Sequence, residues 1–294
     1  LKFQRLLLKI MILLGSHIPT VGGAARAIER AVAIGCTAMQ IFVKNNIQWF
    51  AKPFLVEEIH AFTQHPLRKN LGAVLAHAGY LINLATENSL NHEKSLRSLA
   101  EELLRCDKLE IPFLILHPGS HLGKGKIAGL RCIVHSLNQI HAEHPNLKVR
   151  IALETTAGQG SCLGSRFEEL ADILAHVDDP ERLRFVLDTA HVFAGGYDLS
   201  ALHGTQKVFD QFDCIIGLKK LCALHINESK AALGSRVDRH ANLGDPKNGK
   251  IGLEAFRWIM QAEELALIPK ILETPKGKDL AEDVAAMKLL RSFV

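Results

Sequence analysis

The sequence predicts a (β/α)8 TIM barrel, and three observations carry that expectation. Short apolar runs alternate with amphipathic stretches from one end of the chain to the other. The alternation repeats eight times, with no Pro/Ser-rich linker or low-complexity block between repeats. Six of the eight apolar runs close on an acid or an imidazole: LAH at His77, LILH at His117, IALE at Glu154, FVLD at Asp188, ALH at His225 and KILE at Glu273. Burying such a group costs several kcal/mol unless it is paired or metal-bound. Six such endings on the same side of the strands therefore point to one shared site.

Strands are expected at 11–17, 38–43, 73–77, 113–117, 150–154, 184–188, 223–227 and 269–273. They are continuous apolar runs, as in a parallel sheet covered on both faces. Between them, GGAARAIERAVAIG (22–35) has apolar residues at helical spacing and a closing Gly. A second helix is placed at 54–65. SLNHEKSLRSLAEELLRC (89–106) opens on Ser89, a good N-cap residue. KIAGLRCIVHSLNQIHAEH (126–144) stops before Pro145, and RFEELADILAHV (166–177) stops before Asp178-Asp179-Pro180. Helices at 205–217, 252–265 and 279–293 complete the series. Eight right-handed βα units close as a barrel, so 1–294 is read as one domain, with 1–10 a tail and Met11 near the natural start.

The 294 residues, 48% of them hydrophobic, suffice for one large core. LKFQRLLLKIMILL has the look of a secretory leader, but Lys9 interrupts it and MILLGSH is needed as the first strand. No segment is long and apolar enough to span a membrane. Cys36, Cys106, Cys132, Cys162, Cys214 and Cys222 form no CxxC or zinc-finger spacing. They read as small hydrophobes in a reducing compartment, the cytoplasm. A net charge of +4 is compatible with an anionic partner without demanding one.

Nine candidate metal ligands fall at strand ends or on the loops after them: His77, His117, Glu154, Asp188, His191, His225, Asp238, His240 and Glu273. Nine exceed one tetrahedral zinc and suit two or three ions with a bridging carboxylate. With no Cys in the set, zinc or manganese fits best. The alternative is a metal-free polar face for a sugar or a phosphate. The long loop ESKAALGSRVDRHANLGDPKNGK supplies Asp238 and His240, and a loop of that length is usually functional. His17 reads as a hydrogen-bond donor to a ligand. Trp49 and Phe50 either touch a bound molecule or cover the barrel mouth. Tyr80 is either a wedge into a substrate or a partly buried aromatic. His135 and His141, on a helix, read as surface residues. Loops after the strands are rich in Lys and Arg, which suits a phosphate ester better than a neutral sugar.

The segments HAGYLINLA (77–85), LHPGSH (116–121), LETTAGQG (153–160), LDTAHVFAGGYD (187–198), LHINESK (224–230), GSRVDRHANLG (234–244) and ILETPKG (271–277) resemble the motif blocks of the endonuclease IV family of apurinic/apyrimidinic endonucleases, on a xylose-isomerase-like TIM barrel. They stand in family order across 11–294. The resemblance implies three zinc ions, with manganese possible in part. His77, His117 and Glu154 would hold the first. Glu154, Asp188, His225 and Glu273 would hold the second, and His191, Asp238 and His240 the third. Glu154 and Glu273 would be the catalytic carboxylates. The implied partner is double-stranded DNA containing abasic sites, cut 5′ to the lesion to leave a 3′-hydroxyl, with 3′-end trimming as a further activity and a monomer as the acting form. Lys44, Asn45, Ile47, Gln48, Tyr80, Arg236 and Arg239 would meet the DNA.

The chain departs from the family pattern at Ile47, where a DNA-intercalating Arg is usual. It also departs at Ala78 and Gly79, at Glu228 in place of Asp, and in the longer LGDPKNGKIG. Two other readings stand beside the nuclease. One is a divalent-metal sugar isomerase or epimerase, which would use Glu154, Asp188, His225 and Glu273 and leave the other five candidates surplus. The other is a non-catalytic binder of DNA lesions, against which the complete ligand set argues.

Overall fold

The computed structural model describes residues 12–86 and 90–294. Eight parallel strands close into a barrel: β1 (Leu14–His17), β2 (Ala38–Phe42), β3 (Ala73–His77), β4 (Phe113–Leu116), β5 (Arg150–Glu154), β6 (Leu183–Asp188), β7 (Leu221–His225) and, last in the chain, β10 (Lys270–Leu272). Between β7 and β10 two short strands, β8 (Glu228–Ser229) and β9 (His240–Ala241), form an antiparallel ladder of their own. The helices are α1 (Ala24–Ala33), α2 (Val56–Thr63), α3 (Leu90–Lys108), α4 (Lys126–Glu143), α5 (Phe167–His176), α6 (Thr189–Ala194), α7 (Leu202–Ile215), α8 (Leu253–Gln261) and α9 (Ala281–Arg291). The first strand pairs with both the second and the last, which closes the sheet.

Two apolar populations form because strand side chains alternate between faces. One fills the space between sheet and helices, with Met39, Ile41, Leu114, Leu116, Phe185 and Leu187 from the strands packed against helical residues such as Ile28, Leu99 and Phe212. The other is a small plug inside the barrel, made of Ala38, Leu75, Ile115, Ala152, Val186, Ala223 and Ile271. Two residues further along each strand the same inward face presents Gln40, His77, His117, Glu154, Asp188, His225 and Glu273. The site is thus the next layer above an apolar floor.

All eight expected strands are present, the third and fifth with the expected ends and the others with changed ones. The seventh runs Leu221–His225 rather than 223–227, so His225 is its last residue. The eighth ends at Leu272, because the Glu273 amide donates to Asn227 Oδ1 (2.8 Å) rather than to a ladder carbonyl. The fourth ends at Leu116, one residue before His117. The first begins at Leu14, whose amide is taken by Thr37 Oγ1 (2.9 Å). Helix α6 was not expected. Its six residues are all buried, so it has no polar face to mark it. His141 is corrected from surface to interior: it lies on the inner face of α4, where burial and the nearby Arg182 lower its pKa to about 4. His135 is exposed, as expected. The expected 1–10 tail, the start at Met11 and the Ser89 cap lie outside the described residues. Among the described residues no helix is long and apolar enough to cross a membrane.

Lys270 is buried near the base of the barrel, where its ammonium donates to the carbonyls of Leu265 (2.5 Å) and Ile268 (2.9 Å). Burial lowers its pKa to about 8. The native state therefore carries a penalty below that pH and sheds it as pH rises toward the ordinary lysine value. Urea unfolding of the wild type and of Lys270→Met should show the difference moving in favour of the wild type by about 2 kcal/mol between roughly pH 7 and 9.5. A difference constant with pH would contradict this account.

Candidate metal centre and substrate cleft

Three groups of side chains converge at the C-terminal end of the barrel. His77, His117 and Glu154 form the first; Glu154, Asp188, His225 and Glu273 the second; Asp188, His191 and His240 the third. Within each group one ligand atom per residue lies within 4.8 Å of all the others. Asp238 stands beside the third group, its two oxygens 3.1 Å from His191 Nε2 and 3.3 Å from His240 Nε2. The sequence-based grouping recurs, with Asp188 reaching into the third cluster where Asp238 alone was expected.

Glu154 sits at the centre with no exposed surface. One of its oxygens faces His77 Nε2 (3.0 Å) and His117 Nε2 (3.3 Å). The other faces His225 Nδ1 (2.9 Å) and His191 Nδ1 (3.2 Å). Burial works against its charge, but His225 and His117 outweigh it and hold the carboxyl well below the usual range. Glu273 behaves alike: burial opposes its charge, and His225 and His17 hold it down. Burial would lower the histidines, yet Glu154 and Glu273 raise His225, and Asp188 with Asp238 raises His191. Asp238 falls to about 2, its burial outweighed by His191.

The imidazoles are held from behind. His77 Nδ1 donates to Ala78 O (2.8 Å) and His191 Nδ1 to Thr155 O (2.8 Å). His240 Nδ1 donates to Glu273 O (3.3 Å) and His225 Nε2 to Gln40 Oε1 (2.8 Å). In each ring the opposite nitrogen is turned toward the carboxylates, the arrangement that fixes the tautomer of a metal-binding histidine. His240 Nε2 is buried with no hydrogen-bond partner. Nitrogen and carboxylate oxygen donors, no thiolate and an unsatisfied inward nitrogen fit a divalent metal such as zinc.

Two holding residues escaped sequence reasoning. Asn227 is fully buried and donates to Asp188 Oδ2 (2.5 Å) while its own oxygen accepts the Glu273 amide. Gln40, also fully buried, is the polar residue in the otherwise apolar AMQIF. Inward phase with Phe42 and Ala38 was the one signal that marked it. His17 was expected to donate to a ligand; instead its Nδ1 accepts from Gln40 Nε2 (2.9 Å) and stands 3.4 Å from Glu273 Oε1. Above the centre opens a cavity of about 820 Å³, walled by Ile18, Phe42, Tyr80 and Pro275 and floored by the histidines and acids.

A model of the xylose isomerase-like TIM barrel family matches residues 28–292. A probable endonuclease 4 of Chloroflexus aurantiacus is 44% identical over 280 residues, covering 95% of this chain and 97% of its own. The chain belongs to the endonuclease IV family. A probable endonuclease 4 of Geobacter sulfurreducens is 41% identical over 281 residues, 96% of this chain and 94% of its own. The crystal structure of endonuclease IV from Thermus thermophilus superposes with a TM-score of 0.82 at 34% identity, covering 95% of this chain and 98% of that one. A D-tagatose 3-epimerase-like protein, with a TM-score of 0.71 at 15% identity, shares the fold alone.

The loops after β2, β3 and β7 carry the residues that the sequence marked as candidate DNA contacts. Asn45, Ile47 and Gln48 are exposed on the loop after β2, with Ile47 69% exposed at its tip. Tyr80 is 65% exposed on the loop after β3, its ring edge-on to Phe42, and it lines the cavity. Lys44 is corrected as a surface contact. Its ammonium is buried, 2.9 Å from Glu102 Oε1, and donates to Gln48 O (2.6 Å). Glu102 in turn accepts the Gly79 amide, and the Tyr80 amide donates to Asn46 O (2.9 Å). The two loops are thus clamped together. Gly79 suits this close approach, since a Cβ would meet Asn46 O at 3.0 Å and Lys44 Nζ at 3.1 Å and press the neighbours back by a few tenths of an ångström.

Arg236 and Arg239 are exposed on the long loop after β7. Arg236 adopts the left-handed backbone region (φ 58°) while its Nε donates to Gly158 O (2.9 Å). A bulky residue held there stores strain, a feature that clusters at functional sites. Arg239 lines the cavity. Neither Trp49 nor Phe50 lines it: Trp49 O accepts from Ser98 Oγ, and the Arg97 guanidinium covers the Phe50 ring at 4.9 Å. Glu228 accepts the amides of Ser229, Ile251 and Gly252, so its extra methylene ties the β8 ladder to the start of α8.

Removing one member of a buried ion pair strands the other, at a cost of about 3 kcal/mol. Glu102→Gln should lower the unfolding free energy by about that much. Limited proteolysis should then find cleavage between residues 44 and 50, a segment the wild type protects.

Proposed function

We propose that the protein is a metal-dependent endonuclease of DNA base excision repair that hydrolyses the phosphodiester bond 5′ to an abasic site and leaves a 3′-hydroxyl, with 3′-end trimming as a second activity. The reading rests above all on the three adjoining donor groups at the barrel mouth, in a chain 44% identical to a probable endonuclease 4.

His77, His117 and Glu154 would hold one ion, and Glu154, Asp188, His225 and Glu273 a second. His191 and His240, with Asp238 or Asp188, would hold a third. Zinc is the proposed metal, with manganese acceptable to the same donors. Bound there, the ions would supply a nucleophile at neutral pH and neutralise charge on the reacting phosphate.

The chain's own residues do the rest. Ile47 and Tyr80, both exposed on the clamped loops, enter the gap in the base stack as apolar wedges. An abasic nucleotide has no base to unpair, so turning it outward costs little, and that selects the lesion. The cavity is large enough for one sugar-phosphate unit and has apolar walls for the sugar. Asn45, Gln48, Arg236 and Arg239 present polar and cationic groups to the flanking backbone, which positions the duplex without reading its sequence. The Lys44 ammonium acts from inside, by holding the wedge loop.

A sugar isomerase or epimerase would leave His77, His117, His191, Asp238 and His240 without work, and the likeness to epimerases is one of fold. We read the chain as a single barrel domain that acts as a monomer in the cytoplasm. The cysteines support that compartment, since all six are free rather than paired in disulfides.

A labelled duplex with one tetrahydrofuran abasic analogue tests the proposal. Zinc-loaded protein should cut once, 5′ to the analogue, and Glu273→Ala should be slower by about 10³-fold or more. Absence of a cut by metal-loaded wild type, with conversion of a ketose or aldose instead, would replace the nuclease by the isomerase. In a binding titration at low salt, Ile47→Arg should tighten the abasic duplex several-fold by adding one cationic contact. Unchanged or weaker binding would count against Ile47 as a DNA contact.

A further inference from the structure

We infer that Gln40 is a positioning residue for the second donor group, setting which nitrogen of His225 and which oxygen of Glu273 face a metal. The inference rests on the metal-centre reading and assigns a role to a residue outside the nine donors.

The Gln40 amide is fully buried in the middle of β2 and makes three hydrogen bonds. Its oxygen accepts His225 Nε2–H at 2.8 Å. Its nitrogen donates to Glu273 Oε1 at 2.6 Å and to His17 Nδ1 at 2.9 Å. An amide has one acceptor end and one donor end, and here each end meets a different member of the group. With the proton held at Nε2, the His225 lone pair lies at Nδ1. That atom is 2.9 Å from Glu154 Oε1 and 3.1 Å from Glu273 Oε2. With Oε1 of Glu273 engaged by the amide, Oε2 is the oxygen left to face His225 and the centre. Reversing the amide would set oxygen against carboxylate and N–H against N–H, so only one orientation is stable.

The residue also ties distant parts of the chain. β2 does not pair with β7 or β10; β1 stands between β2 and β10 in the sheet. The side chain spans the barrel interior to reach His225 at the end of β7 and Glu273 just after β10. An apolar residue of the same length would fill the space and leave His225 free to swap tautomer.

Zinc titration against a chromogenic chelator, with wild type, Gln40→Met and Gln40→Glu side by side, tests this. Both variants keep the length of the side chain. Met removes both polar ends, and Glu keeps the acceptor but turns the donor into a charge facing Glu273. The expected result is that one ion binds ten- to a hundredfold more weakly in each, the usual effect of losing a group that orients a ligand, while the remaining sites keep their affinity. Unchanged affinity for every ion in either folded variant would overturn the assignment. A nitrogen-resolved NMR spectrum of the zinc-loaded wild type stands apart from the variants' folding. It should show His225 bound through Nδ1 and protonated at Nε2, and ligation through Nε2 would sink the idea. Failure of the wild type to bind zinc at all would instead remove the metal-centre reading.

Discussion

Everything at the barrel mouth depends on keeping one carboxylate charged where water does not reach it. Glu154 has no exposed surface and four imidazole nitrogens at 2.9–3.3 Å. A lone carboxylate in such a place would neutralise itself by taking up a proton. The surrounding histidines prevent that, and they come from β3, the loop after β4, α6 and β7. The barrel supplies the geometry because inward residues of neighbouring strands stand at matched heights, a ring of positions above an apolar plug.

The sequence made that ring legible for a physical reason. An acid or imidazole closing an apolar run is costly, so its repetition marks His77, Glu154, Asp188 and Glu273 without any knowledge of partners. The strands were legible by the same apolar continuity. What escaped was local and polar. Helix α6 carries His191 but is six residues long and buried on every side, so periodicity had nothing to detect. Gln40 and Asn227 looked like single polar residues, and their meaning lies in contacts with elements far along the chain. Lys44 looked like a phosphate ligand because it stands among the basic residues of the loops after the strands. Its burial depends on Glu102, which stands on α3 and is invisible to local reading.

The loops after β2, β3, β5 and β7 follow a different rule from the cluster of acids and histidines. There the side chains are exposed, and precision must come from the backbone. Lys44, Glu102, Gly79 and Asn46 give it by joining the loop after β2 to the loop after β3. The absence of a Cβ at Gly79 is part of that joint, so the small residues in HAGY reflect close approach of two loops rather than a loosened one. Arg236, strained and bonded to Gly158, joins the loops after β5 and β7 in the same manner.

Closure of the barrel brings the two ends of the described chain together: β1 pairs with β10, and Ser16 Oγ donates to Leu272 O across 256 residues. His17 and Glu273, equally distant in sequence, meet at the same seam. A ribosome therefore releases strand after strand bearing acids and imidazoles of this cluster while its final carboxylate is still unsynthesised. The barrel and the cluster at its mouth are thus completed together, by the last strand and the residue that follows it.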